Sequence, residues 1–186
     1  MKAKGLPYKR ADVSKAISTW DKFIALGSKY MAKLSSAQKT QKMGFLDNAG
    51  AIYTAMINQG TKKYYENNGT SNGKLVYNTN PVIKKAFDTT VKALKAGIGT
   101  RVAQFSSDWT VGMQKGKYAM MLAPAWMMDY IKQQASSTSG KWDIANMPGG
   151  GGNQGGTQLT IPTAGNVANR QAAFDFLTWY VAPEQQ

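Results

Sequence analysis

The chain of 186 residues contains no cysteine and no histidine. The absence of cysteine excludes disulfides, thiolate metal sites and cysteine nucleophiles. The absence of histidine excludes Ser–His and Cys–His catalytic pairs and most transition-metal sites. The sequence therefore predicts neither catalytic residues, nor a metal site, nor a bound cofactor.

Acidic residues are also scarce: 10 stand against 23 lysines and arginines, which gives a formal charge of +13. Such an excess can indicate nucleic-acid binding, so a basic nucleic-acid-binding module is one alternative function. The basic residues are scattered singly or in pairs, however, and no run reaches five. This pattern favours a solvated basic surface, which suits a protein near an anionic cell envelope.

Long apolar runs are missing as well. No stretch approaches the length of a membrane span, and the opening Met1-Lys2-Ala3-Lys4-Gly5 leads into polar sequence rather than a signal peptide. Apolar residues make up 42% and charged residues 18%, which is typical of a folded globular protein. The length allows one domain, or one domain and part of another.

Local signals predict alternating helices and strands. Helix starts are predicted where a side-chain oxygen can accept a backbone N–H of the first turn, or where a proline stands in that turn. These positions are Ser18 or Thr19, Asp47, Asn80-Pro81, Ser106 or Ser107, and Asn169. Residues 1–17 read as a polar lead-in. Strands are predicted at 75–77, 118–122, 142–147 and 157–161, and the last helix is expected to face inward through Ala173, Phe176, Leu177 and Tyr180.

The stretch 109–126 is the most informative about function. It runs from a helical segment ending in Trp-Thr-Val-Gly-Met-Gln, through a turn at Gly116-Lys117 and an apolar strand, to Pro124-Ala125-Trp126. Trp126 therefore follows the carboxyl end of a strand, where α/β proteins commonly bind their ligands. An indole ring is a flat apolar platform that matches the C–H face of a sugar. An isolated Trp would more often be a core residue.

In the order of its motifs, the sequence resembles the extracellular solute-binding proteins of ABC sugar importers. The motifs are Ser18-Thr19-Trp20-Asp21-Lys22-Phe23, Trp109, Gly116-Lys117-Tyr118-Ala119-Met120, Pro124-Ala125-Trp126, the glycine-rich loop 149–156, a strand ending in Pro162, and an Ala- and Phe-rich final helix. The family's usual Gly-Pro-Trp is Ala-Pro-Ala-Trp here, so the indole is shifted by one position.

The resemblance implies an α/β fold: a periplasmic-binding-protein-like type II lobe with helices around a small mixed sheet. It assigns residues 1–156 to the second, C-terminal lobe and 157–186 to a return strand and helix of the first lobe, so that the chain is an internal fragment of a longer protein. The implied function is non-catalytic capture of a sugar or oligosaccharide in an interlobe cleft, with hinge closure signalling the ABC permease.

The implied location is extracellular, attached to the cell envelope as a Gram-positive lipoprotein, or periplasmic. Membrane association is then expected only through a lipid anchor outside this chain. No nucleic-acid partner is implied, and self-association of the fragment is possible.

Seven residues are candidate sugar contacts, by the resemblance and by their positions after strands or in the glycine loop. They are Trp126, Trp109, Asp47, Asn48, Gly155, Gly156 and Thr157. Trp109 could equally anchor its helix, and Asp47 and Asn48 could serve only as helix caps. The other alternative function, a glycan-active enzyme fragment, would need two facing carboxylates, and Asp47 with Asp108 is the candidate pair near the expected cleft.

Overall fold

The computed structural model describes residues 1–67, 70–156, 158–164 and 167–185. Its α-helices, in chain order, are α1 (Arg10–Ala16), α2 (Trp20–Ala32), α3 (Ser36–Thr40), α4 (Gly50–Gln59), α5 (Pro81–Lys95), α6 (Ser107–Gln114), α7 (Met127–Gln134) and α8 (Val167–Tyr180). Its strands are β1 (Gly44–Leu46), β2 (Tyr65–Glu66), β3 (Lys74–Leu75) and β4 (Tyr118–Met120). Within these described ranges, no helix has the length and apolarity that crossing a membrane requires.

The chain divides into two compact units, Met1–Gln154 and Gly155–Gln186. The first unit contains α1 to α7 and all four strands, and the second contains α8. The predicted assignment of 1–156 and 157–186 to two different lobes stays a prediction.

The central sheet of the first unit is small and mixed. β1 and β4 pair in parallel, with Gly44 opposite Tyr118 and Leu46 opposite Met120. Two isolated bridges extend this sheet, a parallel one from Leu46 to Gly99 and an antiparallel one from Asn48 to Arg101. β2 and β3 form a separate antiparallel pair. Helices around a small mixed sheet are the α/β arrangement that the sequence predicts.

The core of the first unit forms where α2 packs on β1 and α4 packs on α5. Phe23 and Phe45 are fully buried, and their rings meet edge to face at 5.1 Å between centroids. A Cβ atom on Gly27 would lie 2.7 Å from the Phe45 ring, so glycine is what lets α2 approach β1 so closely. This packing fixes the position of β1 and therefore of the residues that follow it.

Three of the predicted helix starts are confirmed by their hydrogen bonds. The Thr19 hydroxyl accepts from the Lys22 N–H, the Asn80 side chain from the Val82 N–H, and the Ser106 hydroxyl from the Trp109 N–H. Each bond satisfies a backbone donor that has no partner inside its own helix.

Asp47, by contrast, does not cap α4, and this prediction is wrong. α4 starts at Gly50, and the Asn48 side chain accepts the Gly50 N–H at 2.7 Å. Asp47 and Asn48 carry equally suitable oxygens, and the fold turns the Asp47 carboxyl inward instead.

The lead-in and the end of the chain also differ from the predictions. Residues 1–17 contain α1, and 142–147 form no strand despite their alternating pattern, because no neighbouring strand offers them a ladder of backbone partners. Residues 158–161 are likewise not a strand, and Thr157 lies outside the described residues.

The last helix also departs from its prediction. Asn169 lies inside α8, which begins at Val167, so it is not the cap. Phe176 and Tyr180 are exposed rather than turned inward.

Candidate functional site

The candidate site lies at the carboxyl ends of β1 and β4. Because the two strands are parallel, the residues that follow them emerge at the same edge of the sheet. Asp47 follows β1 directly, and the segment after β4 leads to Trp126, which immediately precedes α7. The fold therefore brings together candidate residues that lie far apart in the sequence.

Asp47 is a buried carboxyl with two donors on one oxygen. Its Oδ2 accepts the Trp109 indole N–H at 2.7 Å and the Gln104 amide at 3.1 Å. Its Oδ1 is buried without a hydrogen-bond partner. Burial raises the pKa of the Asp47 carboxyl above its ordinary value of 3.8, and the hydrogen bonds from Trp109 and Gln104 oppose that rise. The group thus holds its neighbours in place from inside the protein.

The Tyr118 hydroxyl is a second buried polar atom without a hydrogen-bond partner. It packs so closely on α6 that a Cβ atom on Gly112 would lie 2.0 Å from it. Burial, together with the nearby carboxylates of Asp47 and Asp108, raises the pKa of Tyr118 to about 12. The phenol is therefore neutral under physiological conditions.

Asn48 uses both ends of its amide within the protein. Its nitrogen donates to the Val102 carbonyl at 2.7 Å, and its oxygen accepts the Gly50 N–H. The residue fixes the 101–105 segment against the start of α4.

Four aromatic rings connect this buried network to the surface. Trp109 is fully buried and stacks on Tyr130, with 6.0 Å between centroids and 27° between ring planes. Phe105 contacts Trp109 at 5.2 Å and Tyr130 at 5.7 Å. Phe105 also lies almost parallel to Trp126, at 6.3 Å and 14°.

Phe105 and Trp126 form the exposed end of this cluster, which we call the aromatic shelf. Their exposed fractions are 53% and 51%. The Trp126 indole N–H donates to the Gln154 carbonyl at 3.2 Å, so the ring is held at one edge while its face stays open. Large exposed rings in fixed positions often mark a binding surface.

Sequence reasoning did not identify Phe105. Its backbone has φ of +67°, which is uncommon for a bulky residue. Nothing in the sequence predicts that conformation, because the preceding Val-Ala-Gln carries no turn signal. The one sequence feature that could have suggested Phe105 as a site residue is its position directly before the helix cap Ser106.

The predicted glycine contacts lie in the second unit. Gly155 and Gly156 have φ of +97° and +113°, values that a residue with a side chain rarely adopts. Thr157, the remaining predicted contact, is outside the described residues. These three positions stay predictions.

A small cavity in the first unit lies beside the segment that leads to Trp126. Its volume is about 50 Å³, and its lining includes Ala55, Leu122, Pro124, Met147 and Gly152. Pockets that enclose small organic ligands are typically about 300–1,000 Å³. This cavity is therefore too small to enclose such a ligand.

The acidic side chains are the remaining candidates for a reactive pair or a metal site. Asp47 is fully buried, whereas Asp108 is exposed. Within the described ranges, no three His, Cys, Asp or Glu side chains lie together as they would to hold a metal ion.

Comparison with known proteins relates this architecture to one group. The family described as "Bacterial extracellular solute-binding protein" matches residues 3–186. A crystal structure of an "Extracellular solute-binding protein family 1" is 33% identical over 98% of this chain, with a TM-score of 0.79. An ABC transporter associated binding protein from B. animalis subsp. lactis Bl-04, in complex with beta-1,6-galactobiose, is 23% identical over 97% of the chain, with a TM-score of 0.71.

This chain spans 44% and 43% of those two proteins' own lengths. No curated protein matches it. The similarity to the two solved structures confirms the predicted fold class.

Proposed function

Because the chain belongs to the bacterial extracellular solute-binding proteins, we propose that it captures a sugar or oligosaccharide for an ABC transporter. The observation that carries this proposal is the aromatic shelf at the carboxyl edge of the parallel strands. A pyranose ring would stack on Trp126, with Phe105 extending the apolar surface toward a second sugar ring.

The buried residues support the shelf rather than contact the sugar. Asp47 holds the Trp109 indole, Trp109 supports Phe105, and Phe105 lies against Trp126. Asn48 holds the 101–105 segment that carries Phe105. Of the seven predicted contacts, we therefore assign direct stacking to Trp126 and supporting roles to Asp47, Asn48 and Trp109.

Polar contacts to sugar hydroxyls are assigned to the glycine-rich loop. Gly155 and Gly156 have no side chain to shield their N–H groups, and the predicted contact Thr157 follows them with a hydroxyl. Stacking supplies affinity for the ring, and such polar groups distinguish one hydroxyl pattern from another.

The location and partners follow from the family. The family supports an extracellular or periplasmic location. Attachment to the envelope by a lipid anchor and delivery of the ligand to permease subunits are parts of the same proposal. We propose that it does not transform the sugar; the burial of Asp47, one member of the candidate carboxylate pair, supports this.

Replacing Trp126 tests the proposal. The first probe is β-1,6-galactobiose, the sugar bound by the relative of similar fold, followed by a panel of other disaccharides. Titration calorimetry on the 186-residue chain should show binding that Trp126→Ala weakens by roughly 2–4 kcal/mol, as for a hot-spot aromatic. The unfolding temperature should change little, because the ring is half exposed.

Trp179→Ala is the matched control, since Trp179 is the same residue type with 54% exposure in the second unit. It should leave sugar affinity unchanged. Undiminished affinity of Trp126→Ala for every sugar that binds the unmodified chain would contradict the stacking role, and turnover of a bound sugar would favour the enzyme alternative.

A further inference from the structure

The amino ends of β1 and β4 carry a concentration of lysines. Lys42 lies two residues before β1, and Lys115 and Lys117 lie just before β4. The strands are parallel, so these lysines share the edge of the sheet opposite to the aromatic shelf. Their segments are in direct contact, because the Gly44 N–H donates to the Lys117 carbonyl at 3.0 Å.

Further lysines extend this surface around α3. The Lys42 N–H donates to the Lys39 carbonyl at 2.9 Å. The Lys4 ammonium donates to the Gln38 side chain at 2.9 Å and to the Lys33 carbonyl at 2.7 Å, and the Lys33 ammonium donates back to the Lys4 carbonyl. We call this surface the basic rim; it consists of Lys4, Lys33, Lys39, Lys42, Lys115 and Lys117.

Carboxylates are absent from the segments that form the rim. The sequence has no acidic residue between Asp21 and Asp47, and none between Asp108 and Asp129. The ion pairs found among the described residues involve other lysines and arginines. The positive charge of the rim is therefore not neutralised within the described part of the chain.

The residue types indicate what kind of partner fits. The rim contains lysine but no arginine, and lysine is a hydrated point charge that does not require a shaped, bidentate acceptor. No large exposed apolar side chain is found at described positions 28–46 or 114–118. Apart from Tyr8, which is 47% exposed near Lys4, the rim segments thus lack the rings that stack nucleic-acid bases and the apolar anchors of protein interfaces. A diffuse anionic surface remains the matching partner.

We propose that the basic rim contacts the anionic headgroups of a phospholipid bilayer. In this orientation, which the chain would take while it is not docked to the permease, the carboxyl edge of the sheet and the aromatic shelf face away from the membrane. A basic patch is a common second contact beside a lipid anchor. The electrostatic contact would therefore add to the expected lipid anchor.

Sedimentation with vesicles tests this contact directly. The 186-residue chain should bind vesicles of mixed phosphatidylglycerol and phosphatidylcholine at low salt, bind phosphatidylcholine vesicles far less, and lose affinity as salt is raised. A rim variant combining Lys39→Gln, Lys42→Gly, Lys115→Gln and Lys117→Gln should bind at least ~10-fold more weakly.

A control variant loses the same charge elsewhere, through Lys15→Gln, Lys85→Gln, Lys95→Gln and Lys141→Gln. It should retain affinity within about threefold, because these positions lie outside the rim. Equal losses in the two variants would overturn the proposal, since net charge would then explain the binding. Binding to soluble polyphosphate but not to vesicles would also overturn it.

Two further measurements do not depend on the fourfold variant folding. Lys42 has φ of +55°, a backbone conformation that glycine adopts without strain. Lys42→Gly therefore removes one charge and relieves backbone strain, so it should weaken vesicle binding without lowering the free energy of unfolding. The chain has no cysteine, so Lys39→Cys and Lys141→Cys can each carry one fluorophore. The emission should shift on vesicle binding at position 39 and not at 141; a shift at 141 alone would place the contact elsewhere.

Discussion

Removing the buried carboxyl of Asp47 should destabilise the first unit and reveal its protonation in the pH dependence of unfolding. Asp47→Leu has a similar volume but no acceptor, so it leaves the Trp109 indole N–H unpaired in a fully buried position. An unsatisfied buried donor costs about 1–3 kcal/mol, and the half-buried Gln104 amide adds less. We expect a loss of about 2–4 kcal/mol in the free energy of unfolding at acidic pH, where the wild-type carboxyl is neutral.

The loss should shrink as the pH rises. Burial raises the pKa of Asp47 in the folded protein above its ordinary value of 3.8. The folded state therefore holds the proton more tightly than the unfolded state. The corresponding stability is fully present below 3.8 and is lost as the pH rises through the folded-state pKa. Above that window the wild type retains a buried charge, which both Asp47 variants avoid.

Asp47→Asn is the matched control, because its amide keeps an acceptor for the indole and cannot ionise. Urea unfolding followed by circular dichroism between about pH 3 and pH 8 would give the three free energies. The pKa values of Asp21, Glu66 and Asp143 are lowered by their partners Lys92, Lys62 and Arg10, which gives a pH dependence of opposite sign. That contribution is common to all three proteins and cancels in the differences.

Two results would refute this reasoning. One is a wild-type-minus-Asn difference that does not decrease as the pH rises. The other is an Asp47→Leu protein that is as stable as the wild type at acidic pH. That result would mean that the Trp109 N–H has another acceptor, or that leaving it without one costs no free energy.

Two further predictions concern close packing and the exposed face of α8. Gly112→Ala places a methyl group against the Tyr118 hydroxyl and should lower the free energy of unfolding by about 3 kcal/mol. Gly116→Ala is the control: Gly116 has φ of +61° and open space around it, so this variant should lose only about 1 kcal/mol. Equal losses in urea titrations would contradict this prediction. The exposed rings of Phe176 and Trp179 lie 5.9 Å apart and should cause concentration-dependent self-association. A combined Phe176→Lys and Trp179→Lys variant should abolish this association in sedimentation velocity. An unmodified chain that is monomeric at every concentration would exclude the prediction.

The features predictable from sequence are those determined within a few residues. Thr19, Asn80 and Ser106 start helices as expected, because a cap needs only an oxygen and the backbone two or three positions ahead. The alternation at 142–147 is equally regular but gives no strand, since a strand also depends on a neighbour that local sequence does not reveal.

The same limit applies to the candidate site. Trp109 and Trp126 are both rings beside an apolar segment, and only the tertiary fold determines that one is fully buried and the other half exposed. Asp47 and Asn48 are adjacent and chemically similar, yet one supports the core and the other accepts the N–H of Gly50 at the start of α4. Family resemblance pointed to the segment that carries Trp126, and that site stays a prediction. It could not predict Phe105, whose backbone angle is uncommon.

The pairing of β1 with β4 also has a consequence for how the chain folds. The two strands are separated by about 70 residues, so their ladder forms only after a long loop has closed. Non-local contacts of this kind slow folding, and during synthesis β1 emerges well before its partner exists. A nascent chain would therefore present an unpaired strand edge over that interval. For a protein of an extracellular family, such a delay would favour export in a largely unfolded state.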